Sequence, residues 1–279
     1  MQPDSRASRT AQRVAMRRAM HQVIDGQPKV LDDPIAVAIV GRENLETEDS
    51  LHSRTIRAFM VARSRYAEDK LAAAVANGVR QYVVLGAGLD TFAYRNPFPD
   101  VRVFEVDHPA TQAWKRRRLR AAGIELPKQF AFVAVDFEKQ TLQEELAAAG
   151  FTRAEPAFFS WLGVTPYLTR PAFEGTVRFI AAMPAGSGVA FDFAVERSAL
   201  GFLERAALDE LSRRVAAAGE PFQLFFNPQA LEEELKSMGF SEVERLNADE
   251  LNARYFANRS DKLRVRGSLG QLAYCALAG

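Results

Sequence analysis

Residues Gln81–Arg95 read QYVVLGAGLDTFAYR, and this stretch decides the fold. A short apolar run, Tyr82-Val83-Val84-Leu85, stops abruptly at Gly86-Ala87-Gly88. An uninterrupted aliphatic run of this length predicts a parallel strand buried on both faces. The chain must then turn sharply and let a ligand approach its backbone, which Cβ atoms would obstruct. A helix is expected to follow, presenting free N–H groups and a positive dipole end. A second apolar run, Val101 to Val106, ends in Asp107. Strand, glycine turn, helix, strand and acid, in that order, are how an α/β sheet grips a ribose-bearing cofactor.

The details separate two kinds of cofactor. A dinucleotide site calls for Gly-x-Gly-x-x-Gly, because a pyrophosphate must sit on the helix end. Here Thr91 stands where the third glycine would fall, and Asp90 before it is a poor neighbour for a diphosphate. Asp107, at the end of the second strand, can accept from both ribose hydroxyls. Glu105 is the alternative acid if that strand ends earlier. An NAD(P)-dependent oxidoreductase therefore stays as an alternative to a mononucleoside site.

The run GAGLDTFAYR, followed by FEVDHPATQAWKRRRL, resembles the leucine carboxyl methyltransferase-like family of S-adenosylmethionine-dependent methyltransferases. The matches spread from about Asp32 to the C-terminus. The resemblance implies a Rossmann-like class I fold, α/β, with a seven-stranded, mostly parallel sheet, helices on both faces and an α-helical lid. It implies S-adenosyl-L-methionine as cofactor and methylation of an oxygen, on a small-molecule or carboxyl-bearing substrate. A non-catalytic cofactor-binding protein on the same fold is a further alternative.

The resemblance also assigns residues. Gly86, Ala87, Gly88 and Asp107 fall in the cofactor turn and strand end. Arg63 matches an arginine that contacts the carboxylate of the cofactor's methionine portion, a partner that a planar guanidinium suits; Arg65 is its neighbouring competitor. Asp136 and Phe137 match an acid and an apolar residue that meet the adenine, although Asp136 also fits as a helix cap. Leu162 stands where the family usually carries a glutamate that helps hold the cofactor's amino-acid end. Tyr167 lies just past the fourth strand, either beside the substrate or as an aromatic wall under the lid. Arg95 either orients an anionic substrate or pairs with an acid such as Asp90. Neither Tyr167 nor Arg95 is expected to do more than position substrate. A carboxylate acceptor needs no general base; for a hydroxyl, His21 or His52 is the expected recruit.

Pattern places the rest. Strands are expected at Gln81–Leu85, Val101–Val106, Phe130–Val135, Pro156–Leu162, Gly188–Val195, Ser241–Leu246 and Leu269–Ala278. Ala11–Ile24 predicts an amphipathic helix with Val14, Ala15, Met20 and Ile24 inward and its arginines solvated. Asp33 is expected to cap a helix from Pro34 to Val40. Leu51–Asn77 reads as a long helix, interrupted or not, ended by Gly78. The basic run Lys115–Arg120 reads as a solvated helix face, and Asn258–Gly267 as a basic loop without a clear role. One domain is expected over 1–279: an N-terminal lid over 1–78, a cofactor core over 79–195, a lid insertion over 196–226, and the last part of the sheet over 227–279.

Composition narrows the partners. The 279 residues carry 36 Lys and Arg against 35 Asp and Glu, a net charge of +1 that recommends neither nucleic acid nor a membrane surface. A single cysteine, Cys275, excludes an intrachain disulfide framework, and no Cys/His spacing suggests zinc. The N-terminus has arginines but no apolar h-region, so a cytoplasmic setting is expected. The oligomeric state stays open.

Overall fold

The structure, a computed structural model, describes residues 9–45, 49–136, 140–217 and 219–279. Helices α1 (Arg9–Ile24), α2 (Pro34–Val40) and α3 (Leu51–Ala76) precede the first strand. The sheet region then runs β1 (Gln81–Leu85), β2 (Arg102–Asp107), α4 (Pro109–Ala121), β3 (Phe130–Ala134), α5 (Leu142–Ala148), β4 (Ala157–Trp161), α6 (Arg170–Ala181) and β5 (Gly188–Ala194). It closes with α7 (Phe202–Ala217), α8 (Pro228–Ser237), β6 (Glu242–Leu246), α9 (Ala248–Tyr255) and β7 (Gly270–Ala276).

The seven strands form one sheet in the order β3-β2-β1-β4-β5-β7-β6. Strands β1 to β5 pair in parallel, and β7 runs antiparallel between β5 and β6. Alternate residues of each strand serve opposite faces, as the pleat requires. Val83 and Leu85 join Phe159, Trp161 and the apolar sides of α6 and α8. Tyr82 and Val84 join Phe158 and the Ala58, Val61, Ala62 and Leu71 side of α3. With both faces covered, β1, β4 and β5 are buried at every position, which is why they read as mainly apolar runs, broken by Gln81, Ser160 and Asp192. β1 is flanked by β2 on one side and β4 on the other, so the chain reverses direction across the sheet at that point. The crevice outside the carboxyl ends of β1 and β4 is where open α/β sheets take their ligands.

Several expectations need correction. No α-helix follows the glycine turn. Gly86–Thr91 leads into a single 3-10 turn, Phe92–Arg95, and then directly to β2. The helix dipole expected at the ligand is therefore missing, and backbone N–H groups of the turn are what remain. α3 is one unbroken helix of 26 residues. Helix α9 was not expected, although Asn247 and Glu250 form a capping box at its start, a pattern visible in the sequence. In α1, Ile24 is 43% exposed, whereas Arg18 is 3% exposed and buried. The loop at 258–267 does have a role: Arg259 and Asp261 bond the backbone at Gly26 and Pro28, holding the chain just after α1. Among the described residues, no helix is long and apolar enough to cross a membrane.

Candidate functional site

The glycine turn and the end of β2 form a single hydrogen-bonded unit. Gly86 and Gly88 have φ of 66° and 48°, in the left-handed region. A Cβ at Gly86 would lie 2.3 Å from Val164 Cγ2, and one at Gly88 would lie 3.0 Å from Ala11 Cβ. The turn is thus flanked by the loop after β4 and by α1. The Gly88 N–H donates to Asp107 Oδ2 at 2.6 Å, and the His108 N–H donates to Asp107 Oδ1 at 2.7 Å. Burial pushes the Asp107 carboxyl up from its ordinary range, against the pull of these two bonds.

A basin of about 1310 Å3 opens over this unit. Its floor is the carboxyl ends of β1 and β4, with Gly86 to Asp90, Asp107 and His108, and Leu162 to Val164. Asp136 stands at the end of β3, and Tyr167, Leu168 and α6 close the far side. Thr10, Val14, Ala15 and Arg18 of α1, together with Glu220 and Pro221, form the rim. A separate cavity of about 770 Å3, lined by Gln22, Lys29, Asp32 and Arg42 among others, shares no residue with it.

Arg63 reaches the basin from α3 and is 4% exposed. Its Nη1 donates to Asp192 Oδ2 at 2.8 Å, and its Nε is buried without a hydrogen-bond partner. Nη2 lies against Gly163, where an added Cβ would come within 2.7 Å. Arg65 is exposed and pairs with Asp69, so it is not a competitor for the basin.

The sequence profile of the leucine carboxyl methyltransferase family matches residues 11–181. The chain belongs to that family. It is 38% identical over 208 residues to YktD of Bacillus subtilis (strain 168), a protein whose name places it provisionally among the S-adenosyl-L-methionine-dependent methyltransferases. That match covers 73% of this chain and 67% of YktD. Other relatives of the same description, such as one from Mycobacterium marinum (30% identity), are covered over 62% of their length. Two solved structures share the fold. One is a protein of Thermobifida fusca YX described provisionally as a methyltransferase (TM-score 0.58, 16% identity, 95% and 94% of the two chains). The other is the magnesium protoporphyrin IX methyltransferase of Synechocystis PCC 6803 with bound S-adenosylhomocysteine (TM-score 0.50, 10% identity, 96% and 100%). The chain is an S-adenosyl-L-methionine-dependent methyltransferase of Rossmann-like class I fold, and S-adenosyl-L-methionine is its cofactor.

The methyltransferase's residues suit that cofactor. A buried guanidinium with an unpartnered Nε is matched to a carboxylate, and a strand-end carboxylate is matched to a ribose diol. The turn lacks Cβ atoms where they would fill the space beside Val164 and Ala11. A dinucleotide would find no helix end for its pyrophosphate and a carboxylate, Asp90, in its place. The oxidoreductase alternative falls with that.

The basin gathers Arg63, Gly86, Ala87, Gly88, Asp107, Asp136 and Tyr167. Asp136 has its own N–H bonded to Gln140 Oε1 at 3.0 Å. Phe137 lies outside the described residues. Tyr167 packs its ring against Phe222 at 5.2 Å, and burial raises its phenol above the ordinary value. Arg95 requires correction: it does not line the basin. Both of its Nη atoms donate to Glu68, not Asp90, and its Nε lies 3.4 Å from Asp33 Oδ1. His21 is buried, bonded to Asp25 and to the Val30 N–H, and His52 is exposed; neither lines the basin. Glu105 is not the ribose acid, because it is buried against Lys115 at 2.5 Å and Tyr94 at 3.3 Å. Lys115 and Arg118, expected in solvent, are also engaged, Arg118 with the carbonyls that end α2.

Arg18, Asp192, Thr10 and Glu220 were missed. Arg18 donates to Asp33, Asp90 and Thr91, tying α1 to the glycine turn. Thr10 Oγ1 donates to Glu220, joining α1 to the segment after α7. No local pattern announces such partners, which lie far away along the chain.

Proposed function

We propose that this methyltransferase modifies an oxygen of a small molecule, a hydroxyl in preference to a carboxylate. The observation that carries the reading is the basin itself. At about 1310 Å3 it exceeds the roughly 300–1,000 Å3 of a typical single-ligand pocket, which suits a cofactor and an acceptor side by side. In this reading Arg63 takes the carboxylate of the methionine portion, and the Gly86-Ala87-Gly88 backbone lies along the cofactor. Asp107 takes the ribose hydroxyls, and Asp136 the adenine amino group. Tyr167, Leu168 and Phe179 are left to wall the acceptor.

S-adenosyl-L-methionine supplies an electrophilic methyl group when bound. The chain's own part is to align a nucleophile and exclude water, for which α1 and Glu220 form the cover. Charge favours the hydroxyl. Among the described lining residues the cations are Arg18, paired with Asp33 and Asp90, and Arg63, which this reading gives to the cofactor's carboxylate, so neither is left for an anionic acceptor. A hydroxyl needs a proton acceptor. The Thr10 hydroxyl donates to Glu220, and both line the basin with Tyr167, so a carboxylate stands at the acceptor end. A carboxylate acceptor is the second reading: it needs no base, and the matched family's description names a carboxyl group.

The test is calorimetric titration with S-adenosylhomocysteine and, in parallel, NADH, followed by S-adenosylhomocysteine release with panels of hydroxyl-bearing and carboxyl-bearing small molecules. Binding of S-adenosylhomocysteine alone and turnover on hydroxyls are expected. Turnover confined to carboxylates would establish the second reading, and binding of NADH alone would overturn both.

A further inference from the structure

We propose that Asp192 is a positioning residue for the cofactor's amino-acid end, acting through Arg63. The inference rests on the reading of Arg63 as the carboxylate contact. Asp192 lies in β5, inside the buried run GVAFDFA. Its two oxygens are divided between two partners. Oδ2 accepts from Arg63 Nη1 at 2.8 Å, and Oδ1 accepts from the Gly163 N–H at 2.5 Å. Its own backbone carbonyl accepts from Thr165 Oγ1. One carboxylate thus joins α3 to the loop after β4, at the basin floor.

Position explains why it can do so. Strands β4 and β5 pair in parallel, with Trp161 level with Phe191. One residue further along, Asp192 stands beside Leu162. The end of β4 offers only an aliphatic side chain there, and the neighbouring strand supplies the charge. Asp192 does not itself line the basin, whereas Arg63, Leu162 and Gly163 do. Anchoring Nη1 fixes the guanidinium plane. It leaves Nε, buried and unpartnered, together with Nη2 beside Gly163, as the donor pair for a bidentate acceptor. Both side chains are nearly sealed from water, at 5% and 7% exposure, so the pair is not weakened by solvent as a surface pair would be.

The alternative is that Asp192 only balances buried charge. The two roles predict opposite signs. In Asp192→Asn the single remaining oxygen cannot serve both Arg63 and Gly163. If Asp192 positions Arg63, affinity for S-adenosylhomocysteine falls roughly ten- to hundredfold, the equivalent of one charge-assisted hydrogen bond. Adenosine, which lacks the carboxylate, should bind D192N as it binds the wild type, and this also reports that the variant is folded. In R63A the further change D192N should cost S-adenosylhomocysteine no more, because Asp192 acts through a group already removed. Tighter S-adenosylhomocysteine binding by D192N, equal losses for both ligands, or additive losses in the double variant would overturn the proposal. Wild-type protein that binds adenosine but gains nothing from the amino-acid portion would instead refute the assignment of Arg63, and the inference with it.

Discussion

The Gly88 N–H donates to Asp107 Oδ2 at 2.6 Å, so the glycine turn and the end of β2 hold each other in place. Asp107 is therefore both a structural clamp and the carboxylate offered to the basin. Replacing it with alanine should weaken cofactor binding by roughly 1–3 kcal/mol, the usual cost of losing hydrogen bonds to a charged group. Calorimetry with S-adenosylhomocysteine measures the loss. Unchanged affinity in a folded variant would remove Asp107 from the site.

Gly86 is constrained twice, by φ and by space. Alanine there adds roughly 1–2 kcal/mol of left-handed backbone cost and drives a Cβ to 2.3 Å from Val164 Cγ2. Gly86→Ala should lower both thermal stability and cofactor affinity. Trimming the neighbour in Gly86→Ala/Val164→Ala should restore part of the affinity, since it relieves the contact but not the φ. No recovery would show that conformation, and not space, is why glycine stands there.

Much of this was legible because burial on both faces of a parallel sheet writes itself as an apolar run. Each of the seven strands lies within two residues of its expected ends at both termini. Gly86, Gly88 and Asp107 were legible for the same reason: they punctuate those runs. What could not be read is the pairing of distant charges. Arg63 and Asp192 are 129 positions apart, and an Asp amid GVAFDFA announces only that something must neutralise it. Lys115 sits in a basic run that local spacing assigns to solvent, yet its partner Glu105 is buried on the strand it packs against. The helix expected after Gly88 failed for a different reason. Phe92 and Ala93 of the 3-10 turn are buried, so apolar content there reports the core, not helical periodicity.

Glu105 gives the protein a pH dependence of predictable sign. Burial pushes its carboxyl from an ordinary 4.5 up to about 7, against the pull of Lys115. A raised acid binds its proton more tightly in the folded state, so its contribution is fully present below pH 4.5. It is lost as pH rises through about 7. Urea unfolding of wild type and Glu105→Gln at pH 5 and pH 8 isolates the effect. The stability of wild type relative to the variant should fall between the two pH values. A constant difference would mean that Lys115 holds Glu105 ionised throughout.

Arg18 is the joint between α1 and the glycine turn, donating to Asp33 at 3.0 Å, to Asp90 at 3.0 Å and to Thr91 at 2.7 Å. Nearby carboxylates raise its pKa despite burial, and its field in turn lowers that of Asp90 below the ordinary range, in spite of desolvation. Arg18→Met leaves Asp33 and Asp90 without their main counter-charge. That should cost roughly 3–5 kcal/mol, the range for breaking a buried ion pair from one side. Arg18→Lys should recover only part of it, because one ammonium cannot reproduce a planar fork that meets three acceptors. Urea denaturation gives both numbers, and limited proteolysis of α1 shows whether the helix has come loose. A loss below about 1 kcal/mol for Arg18→Met, the range of an exposed pair, would mean that α1 is held by its apolar face alone.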